Sequence, residues 1–207
     1  MTQADIIELQ QDRKAIRNAE KKRELALHAL SSLAELGYAR LNLRDVAQRS
    51  GVSLGVIHYY FANKTELLVC SIGLYKEDFV RDVKAVIAAS TTLDGLSHAL
   101  ADFMAQTITE HAHVHRLWYD VRAQAQYDAA FQPGVAEVEQ ALIGIFSALL
   151  DKLAAFGVSP RDGDPLRLYI LLDGWFRHFL QQHLAGNPDA AAMLRSQTLG
   201  EFARLCP

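Results

Sequence analysis

The chain has 207 residues, half of them apolar, and a formal net charge of −3. This size supports one or two domains with their own cores, and the composition excludes a disordered or fibrous chain. No uninterrupted apolar run approaches the ~20 residues that span a bilayer, and the start, MTQADIIELQQDRK, is too polar for a signal peptide. We therefore expect no membrane partner and a cytoplasmic location, which suits the sparse cysteines, Cys70 and Cys206.

The charge is divided unevenly along the chain. Residues 1–64 carry ten Lys and Arg against seven Asp and Glu, a balance of +3, whereas residues 65–207 carry eleven against seventeen, a balance of −6. Six bases crowd into the first part of the chain: Arg13, Lys14, Arg17, Lys21, Lys22 and Arg23. This asymmetry favours an N-terminal surface that faces phosphate, although a basic helix face is more often only solvated.

Cap and turn residues divide the chain into about nine helices without a convincing strand, so the predicted fold class is all-α. The first helix is expected from roughly residue 10 to about Leu36, ending at Gly37. The next three are expected to be capped by Asn42, Ser53 and Asn63. The later helices are expected to begin near Thr92, His113, Pro133, Pro165 and Pro188, with Gly157 and Gly186 ending two of them.

The segment NLRDVAQRSGVSLGVIHYYF, residues 42–61, has the pattern of a helix-turn-helix. Val46 and Ala47 face inward from a short helix, Gly51 permits a tight turn, and Ile57 returns to the core from a second short helix. Two short helices joined by a three- or four-residue turn that contains glycine define this motif. The second helix would lie in the major groove of DNA.

A longer stretch, KKRELALHALSSLAELGYARLNLRDVAQRSGVSLGVIHYYFANKTELL, resembles the N-terminal domain of TetR-type (TetR/AcrR) transcriptional regulators. The shared features are an alanine-rich helix ending in Glu-x-Gly-Tyr, then Val-Ala-x-x-x-Gly-Val-Ser-x-Gly, then Tyr-Phe-x-x-Lys-x-Glu-Leu-Leu. The resemblance implies a three-helix DNA-binding domain with a basic N-terminal extension over residues 1–66. It also implies a helical ligand-binding and dimerisation domain over residues 67–207.

By this resemblance, nine residues contact DNA: Arg44, Ser53, Leu54, Gly55, Val56, His58, Tyr59, Tyr60 and Lys64. Arg44 is suited to guanine or phosphate, Leu54 and Val56 to thymine methyls, and Lys64 to phosphate at a helix N-terminus. His58 stands where family members usually carry tyrosine, so it contacts phosphate either as a neutral ring or in a pH-dependent way. The ring of Tyr60 is equally suited to packing. The basic extension either follows the DNA backbone or minor groove, or is a frayed helix.

The resemblance also implies that residues 165–185 and 189–205 form a four-helix bundle with a second copy. The first of these helices is apolar around nearly its whole circumference, which indicates burial on more than one side. Its predicted interface residues are Leu166, Tyr169, Ile170, Phe176, Phe179 and Leu180. A central helix within a single chain is the alternative.

The effector site is expected mainly within residues 93–157. The predicted ligand-binding residues are Phe103, His115, Trp118, Tyr119, Arg122, Tyr127, Phe131, Trp175 and His178. Aromatic side chains at helical spacing are also the pattern of an ordinary core. A metal site built on His111, His113 and His115 is not expected, because only His111 and His115 share a helix face.

The predicted function is that of a sequence-specific repressor, a homodimer on double-stranded DNA with a palindromic operator. A small apolar or aromatic effector would release it. The alternative is a constitutive or activating regulator without an effector. Catalysis and cofactors are not expected, because the chain lacks G-x-S-x-G, a phosphate-binding glycine loop and H-E-x-x-H.

Overall fold

A computed structural model describes residues 3–160 and 163–206, with the side chains of residues 3–12 and 34–39 outside the description. The described residues form nine α-helices and one 3-10 turn, and they contain no strand. The helices are α1 Gln3–Arg40, α2 Leu43–Arg49, α3 Leu54–Tyr60, α4 Lys64–Ala89, α5 Leu93–Glu110, α6 Ala112–Gln124, α7 Gln132–Ala155, α8 Pro165–Leu184 and α9 Ala190–Leu205. The predicted all-α fold class is confirmed.

Most of the predicted helix caps form. Asn42 and Asn63 accept a hydrogen bond from the backbone N–H three residues on, at 2.9 Å in both cases. Ser53 and Thr92 do the same at 3.3 and 3.1 Å. Asp164 caps α8, in which Pro165 is the first residue. A cap side chain satisfies one of the four backbone donors left open at a helix start, which is why these residues fix the boundaries.

Two predicted boundaries are wrong. The first helix does not end at Gly37, because α1 continues through Arg40. The last helix does not begin at Pro188 but at Ala190, after a turn in which the Asn187 side chain accepts the Asp189 N–H at 3.0 Å. A glycine and a proline permit a helix boundary at these places without imposing one.

The turn between α2 and α3 depends on a left-handed glycine. Gly51 has φ of +65°. The N–H groups of Gly51 and Val52 return to the carbonyls of Gln48 and Ala47 at 3.2 and 3.0 Å, which satisfies the open end of α2.

We predict that Gly51→Ala lowers the free energy of unfolding by about 1 kcal/mol, because a Cβ is disfavoured in the left-handed region. Gly73→Ala is the matched control. Gly73 lies inside α4, where an added Cβ meets nothing within 4 Å, so this variant should gain about 0.5–1 kcal/mol. Urea unfolding of both variants measures the change in the free energy of unfolding, which should be a loss for Gly51→Ala and a gain for Gly73→Ala. Equal effects would show that the backbone angle at residue 51 is not the cause.

The chain divides into two compact units, residues 1–74 and 75–207, and α4 contributes to both. In unit one, α1 buries one stripe of side chains, and α2, α3 and α4 add theirs: Leu25, Ala29, Leu33, Val46, Ile57, Leu67 and Leu68. In unit two, α5 packs extensively on α9, and α8 packs on α7 and α9. One cluster of that core contains Ile108, Phe176, Phe179, Leu180 and Leu194.

The stretch Ala129–Ala155 is long and apolar enough to cross a membrane by length and composition, with a mean hydropathy of 1.3. It includes α7, whose Val138, Leu142, Ile145 and Leu149 are buried in unit two. Burial of this face identifies α7 as a core helix of the unit.

Candidate DNA interface and ligand cavity

The helix-turn-helix is held by the inner faces of its two short helices. Val46 and Ala47 of α2 and Ile57 of α3 are buried, and Phe61, directly after α3, is buried as well. Since α3 has only seven residues, its orientation is set by these contacts and by the turn before it. The core of unit one, rather than the length of the helix, therefore determines in which direction the other faces of α3 point.

The outer face of α3 is exposed. Gly55, His58 and Tyr59 lie three and four positions apart, so they share one side of the helix, and 68% of Tyr59 is accessible. Ser53 at the start of α3 and Arg44 in the first turn of α2 are exposed too. Leu54, Val56, Tyr60 and Lys64 are half-buried. The structure thus brings all nine sequence-predicted DNA contacts into unit one, five of them on its surface.

The basic segment before residue 24 is helical rather than an extended arm. It belongs to α1, which begins at Gln3. An open groove is lined by the four bases Arg13, Lys14, Arg17 and Lys21, by Asn18, Glu20 and Glu24, and by Tyr60. The ring of Tyr60 also packs edge-on against Tyr59, at 4.9 Å between centroids. Tyr60 therefore packs against another ring and also lies beside basic side chains. These surroundings are compatible with both predicted roles, packing and contact with DNA.

Lys21 and Lys22 of the basic cluster are engaged in ion pairs within unit one. Lys21 contacts Glu24 at 2.8 Å, and Lys22 contacts Glu66 at 2.7 Å while lying over the Phe61 ring. Glu66 also accepts the backbone N–H of Ala62 at 2.8 Å. The Lys22 contact and then the Ala62 N–H lower the pKa of Glu66. The Lys22–Glu66 ion pair joins α1 to the start of α4. The sequence analysis placed Lys22 only in the basic cluster and did not predict this ion pair.

Unit two contains a cavity of about 90 Å³. Its wall is mostly apolar and includes Phe79, Leu100, Met104, Leu142, Phe146 and Phe202. The charged or titratable side chains in this wall are Lys76, His115, Tyr119, Tyr169 and Asp173. A mostly apolar space with a few polar groups is the usual form of a small-molecule site.

His115 and Lys76 form a buried pair in the cavity wall. The Lys76 Nζ lies 3.2 Å from His115 Nδ1, and the Tyr75 hydroxyl lies 2.9 Å from His115 Nε2. Burial, followed by the neighbouring Lys76, lowers the pKa of His115 well below its usual value. Burial also lowers the pKa of Lys76 to about 7. Near neutral pH, His115 is therefore uncharged and Lys76 is close to the midpoint of its titration.

Asp173 is the centre of a second polar network. Its two carboxylate oxygens accept from the Tyr119 hydroxyl at 2.9 Å and from Arg122 Nη1 at 2.6 Å. Arg122 also contacts Glu139 at 2.6 Å, so this network links α6, α7 and α8. Burial, followed by the Asp173 charge, raises the pKa of Tyr119, which keeps its hydroxyl protonated as a donor.

The predicted ligand residues divide into two groups. His115 and Tyr119 line the cavity, whereas the following seven do not: Phe103, Trp118, Arg122, Tyr127, Phe131, Trp175 and His178. Phe103 contacts the wall residue Phe79, and Arg122 contacts the wall residues Asp173 and Tyr169. Trp118 and Phe131 are fully buried core residues, and Trp175 packs against the core. Tyr127, 86% accessible, and His178 are exposed. These seven side chains lie outside the cavity wall, and a ligand contact at any of them stays a prediction.

Sequence reasoning missed Lys76 and Asp173, although the sequence carries a signal for both. Lys76 stands four residues after Ile72 and four before Val80, which places a charge on the buried stripe of α4. Asp173 interrupts the apolar circumference of α8. A charged residue on a stripe that must be buried indicates a polar partner or a ligand.

The predicted dimer residues on α8 also divide. Leu166 and Ile170 are exposed, by 48% and 61%, and together with Leu171 they form an apolar surface. Tyr169, Phe176, Phe179 and Leu180 are instead buried within unit two, because α8 packs on α5, α6, α7 and α9 of its own chain. These four are corrected to core residues. One apolar side of α8 therefore faces the core of unit two, and its other apolar side is open.

The comparisons with known proteins agree with this geometry. The family model described as bacterial regulatory proteins of the tetR family matches residues 28–69, which contain the whole helix-turn-helix. Over 183 residues the chain is 22% identical to the HTH-type transcriptional regulator PksA of Bacillus subtilis, covering 85% of this chain and 86% of that protein. The chain belongs to the TetR family.

Solved structures show the same fold over both units of this TetR-family chain. A TetR-family transcriptional regulator from Rhodococcus sp. superposes with a TM-score of 0.73 at 21% identity, covering 90% of this chain and all of that one. FadR from Bacillus subtilis, solved in complex with stearoyl-CoA, gives a TM-score of 0.69 at 18% identity, covering 86% and 96%. These likenesses show the fold, and the family match over the helix-turn-helix together with the likeness to PksA shows a DNA-binding transcriptional regulator of the TetR family.

Proposed function

We propose that this regulator is a cytoplasmic repressor that binds a palindromic operator as a homodimer and is released by a small apolar or aromatic effector. The observation that carries effector control is the cavity of unit two, since its wall is apolar apart from a few polar groups. The likeness in fold to FadR, which was solved with stearoyl-CoA, supports the view that this architecture can hold a ligand with a long apolar chain.

The outer face of α3 is the proposed reading surface. Gly55 allows close approach to the DNA, His58 and Tyr59 project from the same side, and Arg44 stands at the start of α2. Side chains at such positions reach base edges and phosphates when α3 enters the major groove. The basic groove formed by α1 and Tyr60 would add phosphate contacts that weaken with salt.

A homodimer would pair two reading surfaces on a palindromic site. The exposed apolar surface of α8, formed by Leu166, Ile170 and Leu171, supports a partner at this helix. Met193 adds an exposed apolar side chain on α9. Large apolar side chains that gather on a surface mark an interaction site more often than side chains scattered singly.

We predict that Ile170→Glu converts the dimer to a monomer, because a carboxylate buried without a partner costs several kcal/mol. Tyr127→Glu is the control, since Tyr127 is exposed on a turn far along the chain from α8. Sedimentation equilibrium of both variants measures the mass. A dimer that survives Ile170→Glu while Tyr127→Glu dissociates would move the interface away from α8.

Release would be a two-state switch. The helix α4 runs without interruption from Lys64 to Ala89, so it covalently links the end of the helix-turn-helix to the cavity residues Lys76 and Phe79. Two recognition helices must lie about 34–36 Å apart to occupy adjacent major grooves, so a small displacement of α4 would lower operator affinity. An effector drives this shift only if it binds the DNA-incompetent state more tightly.

The experiment is a screen in which small molecules are scored for release of the full-length chain from its own promoter. A true effector should lower operator affinity, raise the melting temperature, and lose both effects in Leu142→Trp, which fills the cavity. Gln140→Trp, at an exposed position of the same helix as Leu142, is the control substitution. Ligands that stabilise the protein yet leave operator affinity unchanged would contradict the switch and favour a regulator without effector control.

A further inference from the structure

Lys76 is a buried ammonium with few partners. It is only 4% exposed, and its one hydrogen bond in the described part of the chain is to His115. The rings of Phe79 and Trp118 lie 5.0 and 5.4 Å from Nζ. An ammonium has three donor hydrogens, so two remain for a group inside the cavity that Lys76 lines.

The carboxylate in the same cavity wall, Asp173, makes no hydrogen bond to Lys76, although its charge offsets part of the lowering of the Lys76 pKa by burial. Both oxygens of Asp173 are occupied, one by Tyr119 and the other by Arg122. Among the side chains that the structure describes, no ion pair within 4.0 Å joins Lys76 to a carboxylate. The cavity wall therefore contains an ammonium, Lys76, that is not directly paired with a carboxylate. The carboxylate of the wall, Asp173, is paired with Arg122.

We propose that the effector is an apolar molecule with a single anionic head group, a carboxylate, which pairs with the Lys76 ammonium. This inference rests on the proposed effector role of the cavity and specifies its ligand class. The head group would lie beside Lys76 and His115, and the apolar body would occupy the space between Phe79, Phe146 and Phe176. A cationic ligand is disfavoured, because Lys76 would repel it and Asp173 is already paired.

The proposal has a pH dependence that belongs to Lys76. The titratable groups facing it are Tyr75 from α4, His115, Tyr119 and Arg122 from α6, and Tyr169 and Asp173 from α8. Burial raises the pKa of each of the three tyrosines, and burial keeps His115 neutral. The residues that α5, α7 and α9 add to the described wall carry no titratable side chain.

A carboxylate binds the protonated amine. Since the pKa of Lys76 is about 7, the fraction that is protonated falls as pH rises through neutrality. Between pH 6 and pH 8 this fraction falls about tenfold, and carboxylate affinity should fall by the same factor. Binding at pH 8 should also take up a proton.

The test is calorimetric titration of the full-length chain with matched ligand pairs. One pair is decanoate with 1-decanol, and the other is 1-naphthoate with 1-naphthalenemethanol, so that a flexible and a rigid body are both represented. We expect Lys76→Met to weaken carboxylate binding at pH 6 by at least about tenfold, because a hydrogen bond to a charged group is lost. Alcohol binding should be unchanged. Lys84→Met removes an exposed charge from the same helix and should alter neither.

The outcomes separate this inference from the proposed function. The expected result is carboxylate binding that weakens about tenfold from pH 6 to pH 8 in the wild type and does not respond to pH in Lys76→Met. If acids and alcohols bind alike and neither responds to Lys76→Met, the anion site is overturned, while the cavity remains an apolar effector site. If no member of either pair binds, the anion site and the effector role of this cavity are both overturned.

Discussion

Asp173→Ala is expected to lower the free energy of unfolding by about 3 kcal/mol. The substitution leaves the part-buried Arg122 without one of its two carboxylates, and it leaves the Tyr119 hydroxyl only the backbone carbonyl of residue 173, at 3.4 Å, as an acceptor. Removing one partner of a buried pair costs about 3–5 kcal/mol, because the remaining charge stays desolvated. The lower end applies here, since Arg122 keeps Glu139 and is 32% accessible. Urea unfolding at a fixed protein concentration measures the change.

Asp102→Ala is the control for this loss. Asp102 also pairs with an arginine, Arg195 at 2.5 Å, but its side chain is 60% accessible. An exposed ion pair contributes at most about 1 kcal/mol, so the control should remain within that range. Equal losses in the two variants would show that burial of the α6–α8 network adds nothing to its strength.

Lys76→Met is expected to raise the free energy of unfolding by about 1–4 kcal/mol at pH 7. A buried ammonium without a carboxylate partner is costly, whereas methionine fills a similar volume with apolar atoms. The introduced thioether would also pack against the rings of Phe79 and Trp118 that now surround the Lys76 Nζ. Because this variant is predicted to be the more stable protein, its ligand-binding properties can be compared directly with those of the wild type.

The same variant should show a pH signature. The pKa of Lys76 is about 7 in the folded chain, against an ordinary 10.5, so between these values the unfolded chain binds more protons than the folded one. Wild-type stability therefore rises relative to the variant as pH increases from about 7, by up to ~1.4 kcal/mol per pH unit, and the difference stops changing near the unfolded pKa of 10.5. Urea unfolding at pH 7, 8 and 9 measures the difference. A constant difference would contradict a buried lysine that titrates near neutrality.

The order of helices could be predicted because local chemistry fixes most of their ends. Asn42, Ser53, Asn63 and Asp164 cap helices where the sequence predicts, since each satisfies backbone donors within its own segment. Gly37 failed as a boundary. Glycine tolerates both helical and left-handed angles, and which one it adopts is decided by packing that a single segment does not reveal.

The two candidate sites differ in how many of their residues could be predicted from the sequence. The helix-turn-helix is a contiguous segment, so the spacing of Val46, Gly51 and Ile57 is enough to predict its two helices and the turn between them. The cavity is assembled from α4 to α9, and periodicity does not distinguish a wall residue such as Tyr119 from a core residue such as Trp118. The same limit applies to α8, where composition predicts two buried faces but not that Phe176 faces inward and Ile170 outward.

The central claim is that this chain reads a two-fold operator with the outer face of α3. The most direct test is a fluorescence anisotropy titration of its own promoter and of a shuffled duplex with wild type, Arg44→Ala and Tyr59→Ala, at two salt concentrations. Arg116→Ala, which removes an exposed arginine of unit two, is the control. The account predicts salt-sensitive preference for the promoter that each α2 or α3 substitution weakens by at least about tenfold, with Arg116→Ala unchanged. Equal affinity for promoter and shuffled DNA, or promoter binding unaffected by both substitutions, would contradict it.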